Sequence, residues 1–208
     1  MDTFALIATE RMRLADALDE LTPDQWAAPS LCEGWSVHVV AAHLNAPWAV
    51  STQTVLWSMT RSFSLDGGFD QIARHLAEHL DPSECVAGLR ELAGSTSTPP
   101  GSGPEAPLTD VLVHGADMLR PLGRSVDPAP EALATALAWL AGGRAKRFVP
   151  RRRVRGLVVA ATDVDCAAGP GPAEVRGPAL ALCGALCGRP SWLDELSGDG
   201  VATLRARI

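Results

Sequence analysis

Tyrosine is absent from this sequence, and lysine occurs once, at Lys146, so arginine supplies nearly all of the 18 basic side chains. That bias reads as the mark of a GC-rich coding sequence rather than of a function. Basic charge is in short supply as well, with a formal net charge of −6. The only dense basic run, Arg151-Arg152-Arg153 with Arg155, is too short to offset it, so no nucleic-acid partner is expected. No Cys-x-x-Cys spacing occurs among Cys32, Cys85, Cys166, Cys183 and Cys187. Their odd number argues against a disulfide framework, and a reducing cytoplasm is the expected compartment. Cys183 and Cys187, four apart, share one helical face and read as small core residues. Met1-Asp2-Thr3-Phe4 opens no secretory leader. The longest apolar runs, such as Val154 to Thr162, fall far short of the roughly 20 residues a membrane span needs. No Gly-x-Ser-x-Gly elbow is present. Gly169-Pro170-Gly171-Pro172 is no phosphate loop, because its prolines remove backbone donors.

What is there is enough for a core. The chain has 208 residues, 47% of them hydrophobic and 20% charged, which suits one large domain or a large and a small one. Phe4, Ile7, Leu14, Leu18 and Leu21 recur at helical spacing among charged residues, predicting an amphipathic helix over 3–20. Thr22-Pro23 and Asp81-Pro82 read as caps followed by proline at the first helical position, and Ser36 as another cap. The Ser36 helix is expected to run past His43 toward Met59, with a possible kink at Pro47. Asp66-Gly67-Gly68 is expected to be a break before a helix over 69–80. A loop is expected from Gly94 to Pro107, then helices over 108–122 and 130–141. Beyond residue 145 the pattern changes. The β-branched stretch 155–163 and the segment 173–176 read as strands separated by hairpin-like Gly-Pro punctuation, and helix returns from Pro178. The expected organisation is a helical bundle over 1–145 and a small α+β part over 150–208.

Three segments bear on chemistry. Asp110 and His114, four apart on a helix, project from one face and could grip a cation together; a solvated face gives the same spacing. Asp117 continues that face and could bind a ligand or take a proton. His43 sits in the apolar run Val39-Val40-Ala41-Ala42-His43-Leu44. An imidazole there needs a partner, either a carbonyl inside the core or a cation. His38 points elsewhere and reads as surface. His75-Leu76-Ala77-Glu78-His79 matches the inverted zinc-peptidase pattern H-x-x-E-H. Its helix ends almost at once, however, and no third ligand is apparent, so it reads as a solvated face. Cys32 precedes the helix start near Ser36, which could lower its pKa, but it reads first as a packing or turn residue. Trp26, Trp35, Trp48, Trp57 and Trp139 are expected to be mainly core, with one or two of them able to line the pocket. Arg120 and Arg124 could bind an anion or lie on the surface.

The run Trp26-Ala27-Ala28-Pro29-Ser30-Leu31-Cys32-Glu33-Gly34-Trp35-Ser36-Val37, followed by Ala42-His43-Leu44, resembles the N-terminal signature of the mycothiol-dependent maleylpyruvate isomerase family, within the DinB-like superfamily. The segment Val113-His114-Gly115-Ala116-Asp117 with Arg120-Pro121-Leu122-Gly123-Arg124 is similar to that family's second metal-site segment, and 156–200 to its small C-terminal domain. The resemblance implies a mainly α fold, a DinB-like four-helix bundle with a small C-terminal α+β domain. It also implies a divalent ion, zinc, held by His43, Asp110 and His114. The family's isomerase pattern has glutamate at the acid position; here Asp110 is one methylene shorter. Two histidines and one carboxylate leave coordination positions open, as in a catalytic site.

Such a site can lower the pKa of a small thiol, mycothiol in that family. The thiolate would add to the double bond of maleylpyruvate, and rotation and thiol loss would give fumarylpyruvate. The same apparatus could transfer the thiol to an electrophile. The expected partners are a small thiol and a small electrophilic substrate, with the protein a monomer or homodimer. The rival reading is a non-catalytic metal- or ligand-binding protein that keeps the bundle.

Overall fold

Short polar caps decide where the helices begin. In the computed structural model, which describes residues 2–46, 65–125 and 127–208, Thr22 and Asp81 each close a capping box, with Gln25 and Glu84 as the reciprocal partners. The Ser36 side chain accepts the Val39 N–H at 3.3 Å. These caps start α2 (Pro23–Ala27), α5 (Pro82–Glu91) and α3 (Val37–Leu44), respectively. Before them runs α1 (Thr3–Asp19), and α4 (Leu65–His79) lies between α3 and α5. The chain then continues through α6 (Glu105–Leu119), α7 (Pro130–Ala141) and α8 (Arg151–Val154). The strands β1 (Leu157–Ala161), β2 (Ala167–Ala168) and β3 (Ala173–Gly177) follow, and α9 (Ala179–Leu186) and α10 (Val201–Arg205) close the order. The architecture is mainly α with a small three-stranded C-terminal sheet, as the resemblance implies. No helix among the described residues is long and apolar enough to cross a membrane.

Two compact units emerge. One comprises Ile7–Ser97 and His114–Asp127. Its core is Ile7, Leu14 and Leu18 of α1, Val40 and Ala41 of α3, Leu89 of α5, and Met118 and Leu119 of α6, all essentially inaccessible. Here α3 packs against α4 and α5. Arg11, buried on α1, donates to the Leu92 carbonyl at 2.6 Å, which satisfies both an enclosed guanidinium and an end-of-helix oxygen. The other unit comprises Met1–Leu6, Thr98–Val113 and Pro128–Ile208. In it α9 packs on α7 and on the sheet, around Leu137, Leu140, Leu157, Leu182 and Leu186. Burial pushes the Cys183 thiol well up, so this cysteine is a core residue, and the same cause holds Cys85 at about 12.

Several expectations give way. Gly67-Gly68 is not a break, because α4 begins at Leu65 and runs through both glycines. Neither has a positive φ and Gly68 is buried, so packing outweighs a glycine penalty of about 1 kcal/mol per residue. Helix α6 begins at Glu105, with Pro107 inside its first turn, where no intrahelical donor is needed. The Gly-Pro segment does not join a hairpin of the two main strands. Strand β3 pairs with β1 in parallel, Val175 opposite Val159, and the two-residue β2 pairs antiparallel on β1's other edge. Gly171 N donates to Leu157 O at 3.1 Å, and an added Cβ there would strike Gly156. His38 is half-buried rather than on the surface: Nε2 lies 2.8 Å from Leu80 O, and its ring stands edge-on to Trp26. The Ser36 helix does not run on toward Met59 as expected: it ends at Leu44, where the Asn45 cap N–H bonds back to the Ala42 and His43 carbonyls. Pro47, Trp48 and Trp57 lie outside the described residues.

Helix α3 is only eight residues long, so its cap matters. Ser36→Ala is expected to lower stability by about 1 kcal/mol. Chemical denaturation should show a lower midpoint at unchanged slope, and an unmoved midpoint would deny the cap any role.

Candidate metal centre

A tight turn, a short helix and the middle of a long helix build this centre. The turn is Cys32-Glu33-Gly34-Trp35, closed by Trp35 N donating to Cys32 O at 3.0 Å. Its third residue, Gly34, has φ 74°, a conformation that costs other residues energy and glycine none. Ser30 braces the turn: its hydroxyl accepts the Cys32 N–H at 3.1 Å and donates to Trp35 O at 2.9 Å. The turn is tied to α6 by Leu31 N donating to Asp117 O at 2.9 Å. Cys32, read from sequence as a packing residue, is therefore presented to α6.

Helix α6 runs unbroken, so Asp110 and His114 stand one turn apart on it. His43 comes from α3, with its ring centroid 5.1 Å from that of His114. His43, Asp110 and His114 are each half-buried, and each offers a ligand atom within 4.8 Å of the others. Asp117 is fully buried, near the C-terminal end of α6, where the helix dipole disfavours a carboxylate. A buried carboxylate needs donors. His114 Nδ1 lies 3.0 Å and the Cys32 thiol 3.2 Å from Asp117 Oδ2. In the tautomer that donates Nδ1–H to this carboxylate, Nε2 carries the ring's lone pair. A carboxylate behind a histidine in this way is the usual support of a metal-ligating imidazole.

The surroundings are aromatic. Trp35 lies 5.4 Å from His43, centroid to centroid, and Phe69 stands edge-on to it at 6.0 Å. Phe69 is 37% exposed, an unusual position for a large apolar ring. Trp35 is anchored by its indole N–H donating to Asp70 at 2.7 Å. Arg74, doubly bonded to that carboxyl, and Trp35 hold Asp70 below the usual carboxylate range. Arg74 also donates to Gly34 O at 3.1 Å, so α4 braces the turn that presents Cys32. Trp26 and Trp139 are core. Arg124 pairs with Glu20 at 3.1 Å.

His75, Glu78 and His79 form a third group of close donors, all exposed on α4. His79 Nδ1 lies 2.8 Å from its own helix's His75 carbonyl. No buried carboxylate stands behind either ring among the described residues.

Residues 7–165 match the family model of the mycothiol maleylpyruvate isomerase N-terminal domain. The chain belongs to that family. Two solved structures share the fold, the mycothiol-dependent maleylpyruvate isomerase and a histidine-to-alanine mutant of it. Each is 18% identical at a TM-score of 0.54, covering 95% of this chain and 91% of the other. No curated protein sequence matches. Trp35 and Phe69 stand beside His43, and Cys32 beside His114; pattern reading passed over Phe69 and took Cys32 first as a packing or turn residue. The signal available for Cys32 was the Cys-x-Gly-Trp turn.

Proposed function

We propose that this chain is a divalent-metal-dependent enzyme that uses a small thiol, mycothiol, to isomerise maleylpyruvate-like substrates or to transfer the thiol to an electrophile. The observation that supports it most is the Asp117–His114 pair beside His43 and Asp110. These residues fit a divalent ion such as zinc: two imidazoles and a carboxylate are a zinc donor set with positions left open. The ion bound there supplies a Lewis acid that stabilises a thiolate at neutral pH.

The protein's own groups do the rest. Asp117 keeps His114 in one tautomer and one orientation. His43 and Asp110 complete the grip from α3 and α6. Trp35 and the exposed edge of Phe69 offer an apolar wall beside His43 that excludes water from one side and favours a small unsaturated substrate. Asp110, shorter than the glutamate of the family's isomerase pattern, changes the reach of the carboxylate.

The test pairs elemental analysis with turnover. Native protein, gently purified, is expected to hold a stoichiometric divalent ion and to isomerise maleylpyruvate only when mycothiol is added. His43→Ala should lose the thiol-dependent rate while keeping its helical signature. Native protein that binds no ion even after zinc addition, or that turns over equally without thiol, would overturn the reading.

A further inference from the structure

Two donor sets, not one, converge on His114. His43, Asp110 and His114 form the first; Cys32, His114 and Asp117 form a second, again with every ligand atom within 4.8 Å of the others. His114 is the only member they share. We propose that the second set is a metal position of its own, thiophilic in character, which takes an ion through His114 Nδ1 and thereby competes with the first.

The geometry fits. In the second set the donor separations are 3.2 Å for Cys32 Sγ to Asp117 Oδ2, 3.0 Å for His114 Nδ1 to Asp117 Oδ2, and 3.6 Å for Cys32 Sγ to His114 Nδ1. A tetrahedral zinc with ordinary Zn–S, Zn–N and Zn–O lengths requires edges of about 3.5, about 3.3 and about 3.6 Å. The three side chains therefore need to open by only a few tenths of an ångström. Asp117 is wholly enclosed while Cys32 and His114 are half-buried, so an ion can enter from the thiol side and meet a carboxylate already in place. The donors also differ in kind from those of the first set. One thiolate, one imidazole and one carboxylate favour softer ions, whereas two imidazoles and a carboxylate do not discriminate in that direction.

Loading the position releases protons in a defined way. The thiol proton, now shared with Asp117, leaves to solvent as the sulfur–metal bond forms. The ring proton on Nδ1 gives way to the metal and is regained at Nε2. Once Nε2 carries a proton it has no lone pair for the first set, so an ion in either position excludes His114 from the other. The chain is thus built to hold its ion in one of two places, according to the ion's affinity for sulfur.

The proposal concerns binding alone and does not rest on the reaction proposed above. The experiment uses the full-length, metal-stripped protein titrated with cadmium under reducing conditions, followed by ultraviolet difference spectra. Native protein is expected to show a sulfur-to-cadmium charge-transfer band that saturates stoichiometrically. Cys32→Ser, which keeps the size of the side chain, should lose the band yet still bind cadmium through the first set. His43→Ala should keep the band, since the second set does not use that residue. No band in native protein, or a band that survives Cys32→Ser, would overturn the second position. So would a band lost in a folded His43→Ala protein, because the thiol would then be serving the first set. None of these outcomes depends on mycothiol, maleylpyruvate or turnover, so failure here and failure of the proposed enzyme are told apart.

Discussion

His114→Ala is expected to yield a folded protein that holds no stoichiometric divalent ion and has no thiol-dependent turnover. His114 stands at the intersection of both donor sets, so its loss, unlike that of His43 or Cys32, cannot be rescued by a move of the ion from one set to the other. Its side chain is 13% exposed and lies on a helix whose packing face is made by Leu108, Leu112, Met118 and Leu119. Truncation therefore removes the imidazole without opening the core. The substitution does remove one donor from Asp117, and a buried carboxylate so deprived costs about 1–3 kcal/mol. The expected result is a modest fall in melting temperature with complete loss of zinc by elemental analysis. Full retention of the ion in this variant would sink the proposed centre, since no arrangement of the remaining donors here reproduces it.

Asp117→Asn is the second large effect, and it separates holding a ligand from being one. Asparagine keeps the volume and one carbonyl oxygen, but presents N–H groups where the carboxylate received them. The His114 ring loses the charge that fixed its tautomer, and metal affinity is expected to fall by about 10–100-fold, the usual consequence of losing a carboxylate behind a ligating imidazole. The ion should still load at saturation, because none of the first set's donors has been removed. Competition against a chromogenic chelator reads the affinity, and denaturation of the metal-free protein reads any purely structural cost. An affinity unchanged from native would show that Asp117 does not orient His114 for metal binding. A fall in apo-stability alone would show the residue to be a core component and nothing more.

What the sequence disclosed follows the range of the interactions involved. The caps at Thr22, Ser36 and Asp81 were legible because each is settled within three residues. The common face of Asp110 and His114 follows from helical period alone. Gly67-Gly68 was misread because the local penalty of two glycines is overcome by packing of α4 on α3, which no window of sequence contains. Parallel pairing of β1 with β3 was equally hidden, since strand signals carry no direction. At the centre the same limit applies. Asp117 was singled out as part of the metal-type face, yet its burial and its partner Cys32 depend on a turn 85 positions away. Gly34 announced the turn, but nothing in its neighbourhood announced what the turn would touch.

The double tie between that turn and α6, Leu31 N to Asp117 O and Cys32 to the Asp117 side chain, has a consequence for how the protein comes into being. Closing a chain loop of that length costs about 4 kcal/mol of entropy, and nothing local repays it. The pocket must therefore assemble late, after the bundle has brought the turn and the helix together. A nascent or partly unfolded chain presents its thiols and imidazoles scattered, with low affinity for any ion. For the metal binding proposed above, acquisition would be deferred until folding is essentially complete, and a bound ion would stabilise only the finished protein, by mass action on the native state.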